Sequence, residues 1–213
     1  LQGEPANISL HAKNLTKTFN RKPIFKDISF EFSHGDSVAI TGRNGSGKST
    51  LIKIIANVLN PSSGEISING GKEKIERDDY YKYIGFVSPY LNLYDEFTGY
   101  ENLLITSKIR GSSPDNINDI LKRVGLYERR NDLLRIYSSG MKQRLKLAFA
   151  VLHSPNILLL DEPTSNLDKE GIAIVTEFAN EQKGKGILII ATNDEYEKSL
   201  CTKEININTV MNT

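Results

Sequence analysis

Apolar and polar positions alternate with a period of two at Ile28, Phe30 and Phe32, the mark of a half-buried antiparallel strand. The surrounding stretch, 8–41, reads as a run of strands. A second alternation covers Gly64 to Asn69 and closes on Asn69-Gly70-Gly71, a strong turn signal. Tyr83 to Val87 reads as a further strand. Ile157 to Leu160 and Ile187 to Ala191 are continuous apolar runs, which suit parallel strands buried on both faces. Helical spacing runs from Leu51 to Leu59, where Asn60-Pro61 blocks continuation. It returns from about 98 to 153, broken at Gly111-Ser112-Ser113-Pro114 and near Leu133 to Ser139, and again over 169–182. Lys203 to Ile207 reads as the closing strand. The order predicts an α/β fold with antiparallel strands early, a mainly parallel sheet and a helical insertion in the middle.

Between the apolar run Val38-Ala39-Ile40 and the helix at Leu51 lies Gly42-Arg43-Asn44-Gly45-Ser46-Gly47-Lys48-Ser49-Thr50. It fits G-x-x-x-x-G-K-[ST], and its strand–turn–helix setting is the one that makes this phosphate-binding loop meaningful. Glycines let backbone N–H groups close around an anion where a Cβ would intrude. The following helix aims its positive end at the same point. Lys48 adds a cation for the terminal phosphates. The Ser49 hydroxyl is placed for Mg²⁺, and Thr50 offers a further phosphate contact. The bland alternative is a Gly-rich hairpin turn.

A second group of residues supports the first. Ile157-Leu158-Leu159-Leu160-Asp161-Glu162 is an apolar strand that delivers two carboxylates at its end, where open α/β sheets gather their ligands. Asp161 is a candidate Mg²⁺ ligand opposite Ser49, through water. Glu162 is a candidate for orienting and activating a water against a γ-phosphate. Ser138 and Gly140, in Tyr137-Ser138-Ser139-Gly140-Met141-Lys142-Gln143-Arg144, open another helix. By themselves they fit an ordinary serine N-cap as well as an anion site.

With 213 residues, 38% of them hydrophobic and 25% charged, the chain has the size and balance of a globular protein with a real core. A formal net charge of +1 gives no electrostatic case for nucleic acid. Cys201 is the single cysteine, which excludes an intrachain disulfide and a cysteine metal cluster and fits a reducing cytosol. His11, His34 and His153 are scattered without ligand spacing. No run approaches the ~20 apolar residues needed to span a bilayer. No charged-plus-apolar leader is read at the start, and Leu1 to Pro5 read as a loose end. Membranes would enter through a partner.

Taken together, these residues resemble the ATP-binding subunit of an ABC transporter across nearly the full chain. The phosphate loop stands at 42–49, and residues 138–144 resemble the family signature, with Tyr137 and Ser139 where leucine and glycine are usual. Residues 157–162 match the Walker B strand with its catalytic glutamate, and Ser165-Asn166-Leu167-Asp168 matches the D-loop. Phe19, in Leu15-Thr16-Lys17-Thr18-Phe19, matches the aromatic that stacks on adenine. The resemblance implies a single ABC-type domain over 1–213 with a P-loop NTPase core, an N-terminal antiparallel β subdomain and an inserted helical subdomain at about 88–154. It implies ATP and Mg²⁺ as cofactors. ATP would lie against Phe19, Gly42, Asn44, Gly45, Ser46, Gly47, Lys48, Ser49 and Thr50, with Mg²⁺ on Ser49 and Asp161. Two such domains, identical or not, would pair head to tail, so that Ser138 and Gly140 of one cap the γ-phosphate on the other and Asp168 couples the sites. A transmembrane permease would then be driven from the cytoplasmic face, and no nucleic-acid partner is expected.

Two positions depart from the family pattern. Pro89, in Phe86-Val87-Ser88-Pro89-Tyr90-Leu91-Asn92, falls where a glutamine is expected and carries no polar side chain and no N–H. Ser88 or Asn92 are the candidate substitutes through a shifted loop. Asn193, after Thr192, falls where a histidine is usual near the γ-phosphate. Its amide donates a hydrogen bond but carries no proton charge. ATP binding with hydrolysis through Glu162, Lys48 and Asn193 is the leading expectation. A regulatory module that binds ATP and scarcely turns it over, and a soluble ABC ATPase outside transport, are the alternatives. Six of the nine tyrosines lie within 80–100, and Tyr90 to Tyr100 is a candidate permease-docking segment. The segment Leu93 to Leu103 resembles exporter-type subunits.

Overall fold

The computed structural model describes residues 7–210, so Leu1 to Pro5 lie outside the described residues. The chain opens with a hairpin of β1 (Ile8–Phe19) and β2 (Lys22–Ser33). Its two-residue turn, Asn20-Arg21, holds both φ angles positive, at 48° and 64°, the pattern that matches the right-handed twist of paired strands. Then follow β3 (Ser37–Thr41), α1 (Lys48–Ile55), β4 (Ser63–Gly70), β5 (Glu73–Lys74), α2 (Tyr80–Tyr83) and β6 (Ile84–Val87). Three helices come next, α3 (Gly99–Arg110), α4 (Ile117–Arg123) and α5 (Ser139–Val151). The chain continues through β7 (Ile157–Asp161), α6 (Lys169–Lys185), β8 (Ile187–Ala191), α7 (Glu195–Ser199), β9 (Lys203–Asn206) and α8 (Ile207–Val210).

Three of these elements are shorter than the sequence pattern suggests; the closing strand stops at Asn206 rather than Ile207, which is buried and opens α8. The first helix ends at Ile55 rather than Leu59, because Asn57 takes a left-handed φ of 59°, a conformation asparagine tolerates. The strand expected from Tyr83 begins at Ile84. The preceding residues wind into a helical turn around Tyr80, which is buried and whose phenol oxygen accepts the Ile68 N–H at 3.1 Å.

One sheet is antiparallel, in the order β2-β1-β4-β5, and the other is parallel, in the order β6-β7-β8-β3-β9. The period-two geometry of β7 divides the interior. Ile157 and Leu159 face one core with α1 and the antiparallel sheet. Leu158 and Leu160 face the other, built with α3 to α6. Both faces being dry explains the uninterrupted apolar run. The fold is α/β, with a P-loop NTPase core on the parallel sheet, the antiparallel sheet packed against it and helices α3 to α5 inserted between β6 and β7. Ala191 of β8 is level with Ile40 of β3 on one side and Asp161 of β7 on the other. This register brings the phosphate loop and the acidic strand end to the same edge.

Candidate functional site

The phosphate loop is a cradle built of backbone. Gly42, Gly45 and Gly47 hold φ at 148°, 80° and 101°. A Cβ at Gly47 would stand 2.5 Å from Ile24 Cγ2, so the close packing of β2 under the loop requires glycine there. Gly47 is the N-cap of α1 and offers no side chain, which leaves the first N–H groups of the helix for another acceptor. Lys48 is only 6% exposed, and its Nζ donates to Gly42 O at 2.9 Å, with no carboxylate paired to it among the described residues. A buried ammonium held only by carbonyl oxygens favours an anion beside it. Ser46 Oγ is buried without a hydrogen-bond partner.

Across the cradle, Ser49 Oγ donates to Asp161 Oδ1 at 3.0 Å. Asp161 is 1% exposed and its Oδ2 has no partner. Burial is the main cause that pushes its carboxyl above the usual range, and neighbouring Glu162 adds to this. The Ser49 hydrogen bond and the charges of Lys53 and Lys48 oppose it. A hydroxyl beside a carboxylate with an unspent oxygen is a hard, all-oxygen donor set, which fits Mg²⁺ bound partly by phosphates and water. Glu162 adopts φ 48° while its N–H donates to Ala191 O at 3.0 Å. The chain therefore turns sharply at the strand end, leaving Asp161 in the sheet and carrying the Glu162 side chain to the mouth. Ile24, Asn44, Gly45, Gly47, Lys48, Ser49, Thr50, Tyr90 and Glu162 enclose a cleft of about 310 Å³.

Asn193 also reaches this loop. Its Nδ2 donates to Asn44 Oδ1 at 2.9 Å, and its Oδ1 accepts the Gly42 N–H at 3.4 Å. Pro89 is exposed, and its carbonyl accepts from Lys146 Nζ at 2.9 Å. Ser88 is buried and serves its own turn, accepting the Tyr90 N–H at 3.3 Å. Asn92 faces a separate hollow with Leu93, Asp95 and Lys146. Neither candidate substitute for the missing glutamine lines the cleft. Tyr90, expected on a docking surface, does line it, and its ring lies over Lys53 Nζ at 4.7 Å.

The remaining candidates stand apart from the cleft. Phe19 ends β1, is 45% exposed and lies under Lys17 Nζ at 4.7 Å, outside the lining residues. Ser138 caps α5 by accepting the Met141 N–H at 3.2 Å. Gly140 sits against the D-loop, where a Cβ would lie 3.5 Å from Asn166 O. Asp168 caps α6 by accepting the Gly171 N–H at 2.9 Å. Gln143 Nε2 donates to Pro163 O at 3.3 Å, tying the signature helix to the turn that follows Glu162.

Sequence reasoning passed over Glu197. It is 2% exposed, and its Oε1 accepts from both the N–H and the hydroxyl of Thr164, at 2.8 and 2.5 Å. It locks the turn after Glu162 to α7, just past Asn193. Asp194 three residues earlier, which caps α7 on the Glu197 N–H at 3.0 Å, was a visible helix-start signal. Nothing in the spacing pointed to Thr164.

Comparison with known proteins agrees with this geometry. Residues 25–165 match the ABC transporter family. The uncharacterized ABC transporter ATP-binding protein YybJ of Bacillus subtilis (strain 168) is 36% identical, over 92% of this chain and 90% of that protein. The linearmycin resistance ATP-binding protein LnrL of the same organism is 33% identical, over 89% of this chain and 62% of that protein. A solved dimeric ATP-binding cassette, in a post-hydrolysis state bound to ADP and Pi, superposes with a TM-score of 0.81 at 26% identity, over 93% of this chain and 94% of that one. The chain belongs to the ABC transporter family. It is an ATP-binding subunit of that class, an ATPase that works with ATP and Mg²⁺ in ATP-driven transport. Cassettes of this family dimerise and work with transport systems. No helix among the described residues is long and apolar enough to cross a membrane. ATP-binding subunits of transporters associate with membrane permeases.

Proposed function

We propose that MgATP lies in the cleft over Gly42 to Thr50, with Lys48 on the terminal phosphates, Mg²⁺ on Ser49 and Asp161, and Glu162 activating water. One observation carries this reading: a buried lysine without a carboxylate partner lines the cleft, and Ser49 on the same lining is bonded to a buried carboxylate whose second oxygen has no donor. An anion satisfies the first and a hard cation the second, and MgATP supplies both. Phe19 flanks the adenine once the hairpin tip closes on it. Asn193 fixes the loop through Asn44 and presents its amide toward the γ-phosphate.

The chain works as one ATP-binding domain, with about 88–154 as its helical subdomain. Because Ser138 and Gly140 do not face the chain's own cleft, the site is completed by a second ATP-binding domain, a copy or a relative, placed head to tail. Asp168 lies at that junction. The pair acts on a transmembrane permease from the cytoplasmic face, with the exposed Tyr94 and Phe97 in the contact. Pro89 and Asn193 favour a second reading, a regulatory module with little hydrolysis.

Steady-state Mg²⁺-ATPase activity at varied protein concentration decides between them. Turnover that rises faster than linearly with protein, and falls about 10²-fold or more in Glu162→Gln, is expected for a paired engine. Unchanged turnover in Glu162→Gln removes the glutamate assignment. Saturable ATP binding without turnover, even with the permease present, selects the regulatory module.

A further inference from the structure

We propose that the Tyr90 phenol supplies the terminal-phosphate contact that its loop lacks at Pro89. The inference rests on the ATP-site reading above. The loop leaving β6 folds back at once, with the Leu91 N–H on Ser88 O at 3.1 Å and the Tyr90 N–H on Ser88 Oγ at 3.3 Å. Lys146 pins it to α5 through Pro89 O at 2.9 Å. The Ser88 hydroxyl is therefore spent on backbone, Pro89 has no polar side chain and Asn92 faces another hollow. From this loop, Tyr90 lines the cleft together with Lys48, Ser49, Thr50 and Glu162.

Its placement is specific. Lys53 follows Ser49 by four residues on α1, so both occupy one face of the helix. The stack of the Tyr90 ring on Lys53, 4.7 Å from Nζ to centroid, sets the ring over the same face that presents Ser49 to Asp161. Tyr90 is 72% exposed, and its phenol has no hydrogen-bond partner among the described residues. A phenol both donates and accepts, so it serves as a neutral donor to a γ-phosphate oxygen. Tyr90 follows Pro89 by one position, and it is from there that the loop's side chain enters the cleft. The tyrosine cluster thus sends one member to the nucleotide.

The test is calorimetric titration of the full chain with MgATP and with MgADP, for wild type, Tyr90→Phe and Lys48→Ala. Phenylalanine keeps the ring and its stack on Lys53 and removes only the hydroxyl. Tyr90→Phe is expected to weaken MgATP about tenfold, as a lost hydrogen bond to a charged group does, and MgADP by less than about twofold. Equal affinities in wild type and Tyr90→Phe, or equal losses for both nucleotides, overturn the proposal while the site stands. Unchanged binding of both nucleotides in Lys48→Ala overturns the site itself, and the role of Tyr90 with it.

Discussion

The phosphate-loop edge and the signature edge differ in how their polar groups are spent. At the first, Lys48 has carbonyl partners only, Asp161 Oδ2 and Ser46 Oγ have none, and α1 begins on a glycine without a side-chain cap. At the second, Ser138 and Asp168 are each satisfied by an N–H of the helix they open, and Gly140 rests against the Asn166 carbonyl. One edge holds unmet buried demand and is built for a ligand within a single chain. The other is a capped surface whose polar groups are already met within the chain. Desolvated groups lacking partners cost stability, so several of them gathered at one edge favour a ligand that completes them.

The largest expected effect strikes the first edge alone. Asp161→Asn keeps the acceptor for Ser49 but removes the charge, and turnover should fall about 10²-fold or more. Thermal stability should move the other way. The Asp161 carboxyl is raised by burial, so its contribution in the absence of nucleotide is present at pH below the ordinary carboxylate range and is lost as pH rises through the raised value. At neutral pH the ligand-free variant should melt no lower than wild type, and the upward melting shift given by MgATP should disappear. A ligand-free variant that melts well below wild type would mean the carboxylate is structural.

A smaller effect separates the second edge from the first. Tyr137, just ahead of the signature, is buried, and its phenol donates to Arg129 O at 2.7 Å; burial is the chief reason that phenol is pushed up to about 12. Arg129 O also accepts the Asp132 N–H, so it keeps one partner in Tyr137→Leu. That substitution should therefore cost about 1–2 kcal/mol, from one hydrogen bond and the ring packed on Gly99, read as a denaturant midpoint shift. MgATP affinity should stay within about twofold. A large loss of affinity would show that the two edges are not independent.

The smallest expected effect lies behind both edges. His153 is held down to about 3, first by burial and then by the charge of Arg110, whose Nη1 donates to it at 2.6 Å. Its depressed value means that the stability it confers is full above the ordinary histidine range and is lost as pH falls through that range toward 3. Between about pH 7 and pH 6, wild type should lose on the order of half a kcal/mol that His153→Gln does not lose. Parallel denaturation curves for the two proteins would remove histidine from the acid response.

Much of this was legible in local spacing. The strand–loop–helix around Lys48, the acidic end at Asp161-Glu162 and the two continuous apolar runs follow from residues adjacent in the chain, and the structure brings Ser49 within hydrogen-bond reach of Asp161. Less legible were side chains whose meaning depends on what lies opposite. Tyr90 read as a docking residue because tyrosines favour interfaces, and nothing in the spacing showed that it also lines the cleft, with its ring on Lys53 of α1. Glu197 gave no sign of its hold on Thr164, 33 residues earlier. Asn193 was visible as a departure, but its grip on Asn44, 149 residues earlier, was not.

By itself the sequence determined the main strands and helices, the class of fold and the chemistry of the phosphate loop, because periodicity, glycine placement and motif spacing act through bonds and turns within a few residues. Only the tertiary structure decided that β8 would set Ile40 and Asp161 level, that the antiparallel sheet would press Ile24 beneath Gly47, and which loop side chain would enter the cleft. Those outcomes depend on strand order and on packing between distant segments, where many pairings compete and the burial of the whole chain selects one.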